Sequence, residues 1–170
     1  MNEKNVKILV TVLLISLLLF AAYIKLSPIY YMKKAIKKAL NYFDTDVVAN
    51  CEKILRLESG NFTSGQFLGT YSAGMEPASP TYPYGWNSLK NYWDTHPEYK
   101  PIGIKSYTEN GTGIRKQFIQ FSTVEAGVFT LCQWLTIFEN NPGRWFSLNI
   151  SEQTSYNEKI SKINATFTYA

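Results

Sequence analysis

The stretch DVVANCEKILRLESG, residues 46–60, decides how the rest of the chain is read. Val47, Cys51, Ile54 and Leu55 recur at spacings of three and four, which places one apolar stripe on a helix from Asp46 to Glu58. Thr45 or Asp46 supplies the N-cap, and Gly60 stands where a left-handed residue ends such a helix. Glu58 therefore falls in the last turn. The partial negative charge of a helix C-terminus and the neighbouring apolar side chains both disfavour an ionised carboxyl there. A glutamic acid kept neutral near physiological pH can donate its proton to a glycosidic oxygen. Read locally, the same residue also fits an exposed glutamate at a helix end.

Residues 61–101 change character. They hold five of the seven prolines together with Tyr82, Tyr84, Trp86, Tyr92 and Trp93, and read mostly as structured loop with short helical turns. Residues 102–121 read as two strands around Asn110-Gly111, a hairpin signal. Ser122-Thr123-Val124-Glu125 matches a capping box, and Val124, Val128, Leu131, Leu135 and Phe138 continue one buried face until Asn141-Pro142-Gly143. Trp134 belongs to that core. A last helix begins at a second box, Ser155-Tyr156-Asn157-Glu158, and buries Tyr156, Ile160 and Ile163. Helices, a small hairpin and helices again make an α+β plan with a mainly helical core.

The N-terminal arm is different in kind. Ile8 to Ile24 is a run of 17 residues without a charge. As a helix it covers about 26 Å, against a hydrocarbon core of roughly 30 Å, and Lys7 and Lys25 can reach the two interfaces. The run exceeds a usual signal-peptide core, and no small-x-small cleavage site follows it, so one N-terminal transmembrane helix within residues 1–27 is expected. Residues 28–44 read as a basic amphipathic helix or linker, with Lys33, Lys34, Lys37 and Lys38 opposite Ile29, Met32, Ile36, Leu40 and Phe43. That helix suits a membrane surface or the first helix of the globular body. Residues 45–170 form the remaining domain.

Leu57-Glu58-Ser59-Gly60 at a helix end resembles the Glu-Ser/Thr-Gly motif of the lysozyme superfamily, nearest to lytic transglycosylases and bacterial N-acetylglucosaminidase domains. Tyr71-Ser72-Ala73-Gly74-Met75 is similar to the Gly-Met segment that those families place after the acid. Phe118–Ser122 followed by Glu125 resembles their aromatic strand entering a Ser-capped helix, with Phe121 where the glucosaminidase pattern has tyrosine. Arg144-Trp145 and Tyr156 are similar to the end of the domain. The likeness runs over roughly residues 40–166. It implies a lysozyme-like catalytic domain with Glu58 as acid and then base, and Glu109, just before Asn110, as second carboxylate. It also implies substrate contacts at Ser59 and Phe121, and glycan strands of peptidoglycan as partner.

For Tyr71, Tyr84 and Trp86 the chemistry of the side chains themselves points to sugar, because flat aromatic faces stack on C–H surfaces; core packing is the other reading. With one histidine, His96, and two cysteines, Cys51 and Cys132, neither a metal nor an organic cofactor is expected. The cysteines fit two buried thiols or one disulfide. Of the formal charge of +4, residues 1–40 carry +6 and the rest −2. The body therefore has no general attraction for phosphates, and nucleic acid is not expected as a partner. A lipid bilayer is, through residues 8–24.

The expected protein is thus a membrane-anchored peptidoglycan-cleaving enzyme facing the cell wall or periplasm. It also fits a bacteriophage protein in a virion membrane, with virion proteins as further partners. The competing expectation is a catalytically inactive lysozyme-like structural or glycan-binding membrane protein. Lysines following the apolar run would by themselves hold the body in the cytoplasm, in conflict with wall cleavage.

Overall fold

The computed structural model describes residues 3–108, 112–146 and 148–168. Helix α1 (Glu3–Leu26) leads through the single residue Ser27 into α2 (Pro28–Ala39), and α3 (Thr45–Glu58) follows. Next come α4 (Gly65–Thr70), α5 (Asn87–Thr95), a 3-10 turn (Pro97–Tyr99) and the strands β1 (Gly103–Thr108) and β2 (Arg115–Gln120). Helix α6 (Val124–Ile137), a second 3-10 turn (Pro142–Phe146) and α7 (Ile150–Ser161) complete the chain. The architecture is α+β and mainly helical, as the alternation of periods in the sequence implies.

Helix α6 is the centre. Its buried residues include Val124, Val128, Leu131 and Leu135, but also Phe129, Thr130, Cys132 and Trp134 on other sides. A helix apolar all round is one surrounded by protein, and α2, α3, α5 and the 97–99 turn pack against it. Trp93 of α5 is fully buried, and its indole N–H donates to Thr130 Oγ1 at 3.0 Å, so the polar atom enters the core with its partner.

Helix α2 belongs to this core and is not a linker ahead of the domain. Met32 and Ile36 have no exposure, and Ala35 and Ala39 almost none, against α6 and α3. Ile29, expected on the apolar side, is 48% exposed, and Leu40 and Phe43 lie beyond the helix end. Cys51 and Cys132 are buried free thiols, which decides between the two readings left open by the sequence.

Three helix starts differ from the expected ones. Asp44 occupies the N-cap of α3 without a side-chain hydrogen bond, one residue before Thr45. At α6 the cap is Thr123, whose hydroxyl accepts from Ala126 N; Ser122 lies outside, and Glu125 pairs with Lys38 at 2.6 Å. At α7 the capping box is Asn149 with Glu152 rather than Ser155 with Glu158. Residues 87–95, expected within a loop region, form α5.

β1 and β2 pair antiparallel from Gly103↔Gln120 to Thr108↔Arg115. The residues between them that carry the expected turn and Glu109 lie outside the described residues. The hairpin is fastened to the segment after α4: Ile119 N donates to Met75 O and Phe121 N to Thr70 O, both at 2.8 Å.

In α1 the described apolar side chains from Val6 to Leu19 are strongly exposed, Leu18 at 70%. Among the described residues no helix is long and apolar enough to cross a membrane. The side chains of residues 20–26, which complete the apolar run of the sequence, lie outside the described set.

Candidate functional site

Glu58 ends α3 because the chain turns left-handed immediately after it. Gly60, Asn61 and Phe62 have φ of 58°, 57° and 68°. Such a conformation is ordinary for glycine and tolerated by asparagine, but costs on the order of 1–2 kcal/mol for phenylalanine. Ser59 and the packing of Phe62 hold it in place. The Ser59 hydroxyl donates to Leu55 O and accepts from Phe62 N at 2.6 Å, and its carbonyl accepts from Thr63 N and Ser64 N. Phe62 is 1% exposed, against Phe67 and Phe167. Ser59, expected to touch substrate, is itself buried and holds this turn together.

The Glu58 side chain is half-buried, and two elements distant in sequence converge on it. Tyr156 of α7 donates its hydroxyl to Glu58 Oε1 at 2.9 Å. Gly74, at φ +80°, lies beside the other oxygen: a Cβ there would stand at an ordinary contact distance of 3.9 Å from Glu58 Oε2. Burial pushes the Glu58 carboxyl above its ordinary value, while the Tyr156 hydrogen bond and then the positive charge of Lys159 pull it down without cancelling the rise. Burial, and then the charge and hydrogen bond of Glu58, push the Tyr156 phenol upward, so it stays a donor at any working pH. The arrangement is a carboxyl biased toward its neutral form, with one oxygen held and the other beside a residue that has no side chain.

The remaining expected residues divide. Trp86 lies along the continuation of the Gly74 segment: its indole N–H donates to Glu76 O at 3.0 Å, and its ring meets Trp134 edge-on at 4.7 Å. Tyr84 is tied to the same segment, its carbonyl accepting from Ala78 N at 2.9 Å and its ring edge-on to Tyr82. Tyr71 sits elsewhere. It caps α4 at φ 53°, and it lines a cavity of about 490 Å³ with Tyr31, Lys34, Tyr99 and Glu125, between α2 and the start of α6. Phe121, at 1% exposure, packs on Trp93 and is core, not a sugar contact. Glu109 lies outside the described residues. Neither the cavity at Tyr71 nor a smaller one of about 320 Å³ beside Tyr92 and Phe129 is lined by Glu58.

Sequence reasoning placed Tyr156 on a buried face but did not assign it to Glu58, 98 positions away. The contact was within reach of the resemblance, which contains both residues, but not of any local pattern. Glu52, completely buried within α3, was not singled out from the sequence at all. It accepts from Arg56 Nη2 at 2.6 Å and from the backbone N–H groups of Thr166 and Phe167 at 2.8 and 2.9 Å. Two turns before Glu58, this carboxylate binds the chain's last described segment to α3. Among the described residues no group of three or more His, Cys, Asp or Glu side chains is placed to hold a metal.

Comparison of the chain with protein-family models, with curated proteins and with solved structures gives no match.

Proposed function

We propose that the protein is a membrane-anchored enzyme that cleaves the β-1,4 glycan strands of peptidoglycan, with Glu58 as its acid and base. The observation that carries this reading is the environment of one side chain: Glu58 is half-buried, its carboxyl is raised by desolvation, and Tyr156 and Gly74 flank it. Glu58, Gly74 and Tyr156 are also residues on which the lysozyme-superfamily resemblance rests, and they meet in space. A neutral Glu58 gives its proton to the glycosidic oxygen as the C–O bond breaks. The resulting carboxylate then takes a proton from the attacking hydroxyl. In the transglycosylase form that hydroxyl is the sugar's own 6-OH, which closes an anhydro ring; in the hydrolase form it is water. Trp86 and Tyr84, on loops tied to residues 76–78, offer aromatic surfaces for stacking on sugar.

The anchor is α1. Its exposed apolar side chains from Val6 to Leu19 and the uncharged run to Ile24 support insertion in a bilayer, with the body facing the cell wall or periplasm, or carried in a virion membrane. The test is mass analysis of soluble products released from purified peptidoglycan by the full chain and by Glu58→Gln. Anhydro or reducing-end fragments from the first alone support the reading; equal yields from both overturn it.

Two observations favour a second reading, an inactive lysozyme-like protein that binds glycan or serves structurally. The two cavities lie away from Glu58, and two expected substrate contacts, Ser59 and Phe121, are internal. Binding of glycan strands without any released product would select it.

A further inference from the structure

Helix α2 is two-sided, and only one side has work inside the protein. Met32, Ala35, Ile36 and Ala39 are buried against the body. Tyr30, Lys33, Lys34 and Lys37, spaced three and four apart on the other side, are exposed. Among the described residues Lys33, Lys34 and Lys37 have no ion-pair partner, whereas Lys38, at the edge of this face, is held by Glu125. The first turn of α2 contains no acidic residue. The acidic groups flanking this face are Glu98 and Glu125, which with Lys34 line the cavity on one side of the helix.

The position of this face matters as much as its charge. Only Ser27 separates it from α1, and the Ser27 hydroxyl caps α2 by accepting from Tyr30 N at 3.2 Å. Wherever α1 enters a bilayer, the start of α2 must lie at its surface. Ile29 at 48% and Tyr30 at 39% exposure stand at that joint, an apolar and an amphipathic side chain suited to the interface. The chain's positive excess is concentrated in its first 40 residues, while the body beyond is net negative.

We propose that the outward face of α2 docks on a bilayer surface rich in anionic lipid, with Lys33, Lys34 and Lys37 against the headgroups and Ile29 and Tyr30 in the interfacial layer. The proposal rests on α1 as the anchor. It adds that the body is laid down on the membrane by α2 rather than left free to swing on a tether. Anionic lipid, rather than nucleic acid, is the occupant because the lysines adjoin exposed apolar side chains on the anchor's side.

The full chain in bilayer discs, open on both faces, tests this. Discs of phosphatidylcholine alone and discs containing phosphatidylglycerol are treated with an amine-reactive reagent, and each lysine is read by peptide mass spectrometry. Each lysine held at an anionic surface gains roughly five-fold in affinity. Labelling of Lys33, Lys34 and Lys37 is therefore expected to slow about five-fold in the anionic discs, to recover at high salt, and to stay unchanged at Lys53 and Lys162. Equal labelling of the three in both discs overturns the proposal. So does protection by an RNA oligonucleotide that exceeds protection by the anionic discs. Failure of the chain to co-elute with neutral discs overturns the anchor instead, and protection in anionic discs under that outcome leaves the docking face standing.

Discussion

The Tyr156 hydroxyl holds Glu58 Oε1 at 2.9 Å, joining the end of α3 to the middle of α7. This bond favours the ionised carboxyl, against the burial that favours the neutral one. Tyr156→Phe removes the opposing effect, so the Glu58 carboxyl rises further. The general acid of the proposed reaction must begin protonated, so under that proposal the alkaline limb of the activity–pH profile moves to higher pH in this variant. Loss of one hydrogen bond lowers stability by about 1 kcal/mol, or roughly 2–4 °C in the unfolding midpoint. An alkaline limb that moves down contradicts the assignment.

Glu58→Gln keeps the shape and removes the titrating proton, and under the proposed function glycan cleavage falls by about 10²–10⁴-fold. The stability effect has the opposite sign. The folded-state carboxyl is raised above its unfolded value, so its stabilising contribution is present at low pH and lost as pH rises through the folded value. The glutamine has no such loss. Thermal unfolding of the two proteins from acidic to neutral pH should show the variant gaining on the wild type as pH rises, by about 2–4 °C for each 1 kcal/mol.

Glycine to alanine within a helix ordinarily stabilises by about 1 kcal/mol. At Gly127 of α6 the sign reverses. A Cβ there would stand 1.9 Å from the Tyr71 carbonyl oxygen, backbone that cannot turn aside. Gly127→Ala should destabilise by about 1–3 kcal/mol in urea unfolding, the usual range for overpacking.

Glu52→Ala removes the acceptor of the Thr166 and Phe167 N–H groups and the charge partner of Arg56, whose guanidinium keeps Thr166 Oγ1 at 2.6 Å. Breaking a buried pair from one side costs about 3–5 kcal/mol. Amide exchange at Thr166 and Phe167 should accelerate well beyond that at α6, and a protease should trim the C-terminal segment first.

Cys51 and Cys132 are both buried, and burial pushes the Cys51 thiol well above its ordinary value. Its Sγ lies 3.6 Å from Val128 O. A thiol reagent should therefore find no reactive cysteine in the native protein and two after unfolding in denaturant.

What could be read from the sequence was what neighbouring residues decide. The body of α3 and the left-handed turn at Gly60 follow from spacing and from glycine, and so does the place of Glu58 in a last turn. The starts of α6 and α7 did not follow, because Ser122 and Thr123 offer the same hydroxyl, and Asn149 and Ser155 each precede a glutamate by three residues. Packing chose between equal local options. Helix α5 was hidden by the prolines and aromatics around it, and its evidence is tertiary: Leu89 and Trp93 buried in the shared core. Tyr156, the partner of Glu58, and the two backbone donors to Glu52 lie about a hundred residues further along, beyond any periodicity. Substrate contacts for Phe121 and Ser59 were implied by resemblance, whereas packing and turn geometry had already claimed both side chains.

The hold of Glu52 on Thr166 and Phe167 also gives the protein an order of events during its synthesis. A ribosome delivers Glu52 114 positions ahead of Thr166. Until that segment emerges, the buried carboxylate of α3 lacks two of its backbone hydrogen-bond donors, and the turn bearing Glu58 lacks the Phe167 ring stacked on Phe62. The turn that ends α3 is thus completed only after a segment far downstream has emerged, and Glu58 takes its held position well after α3 itself has been made.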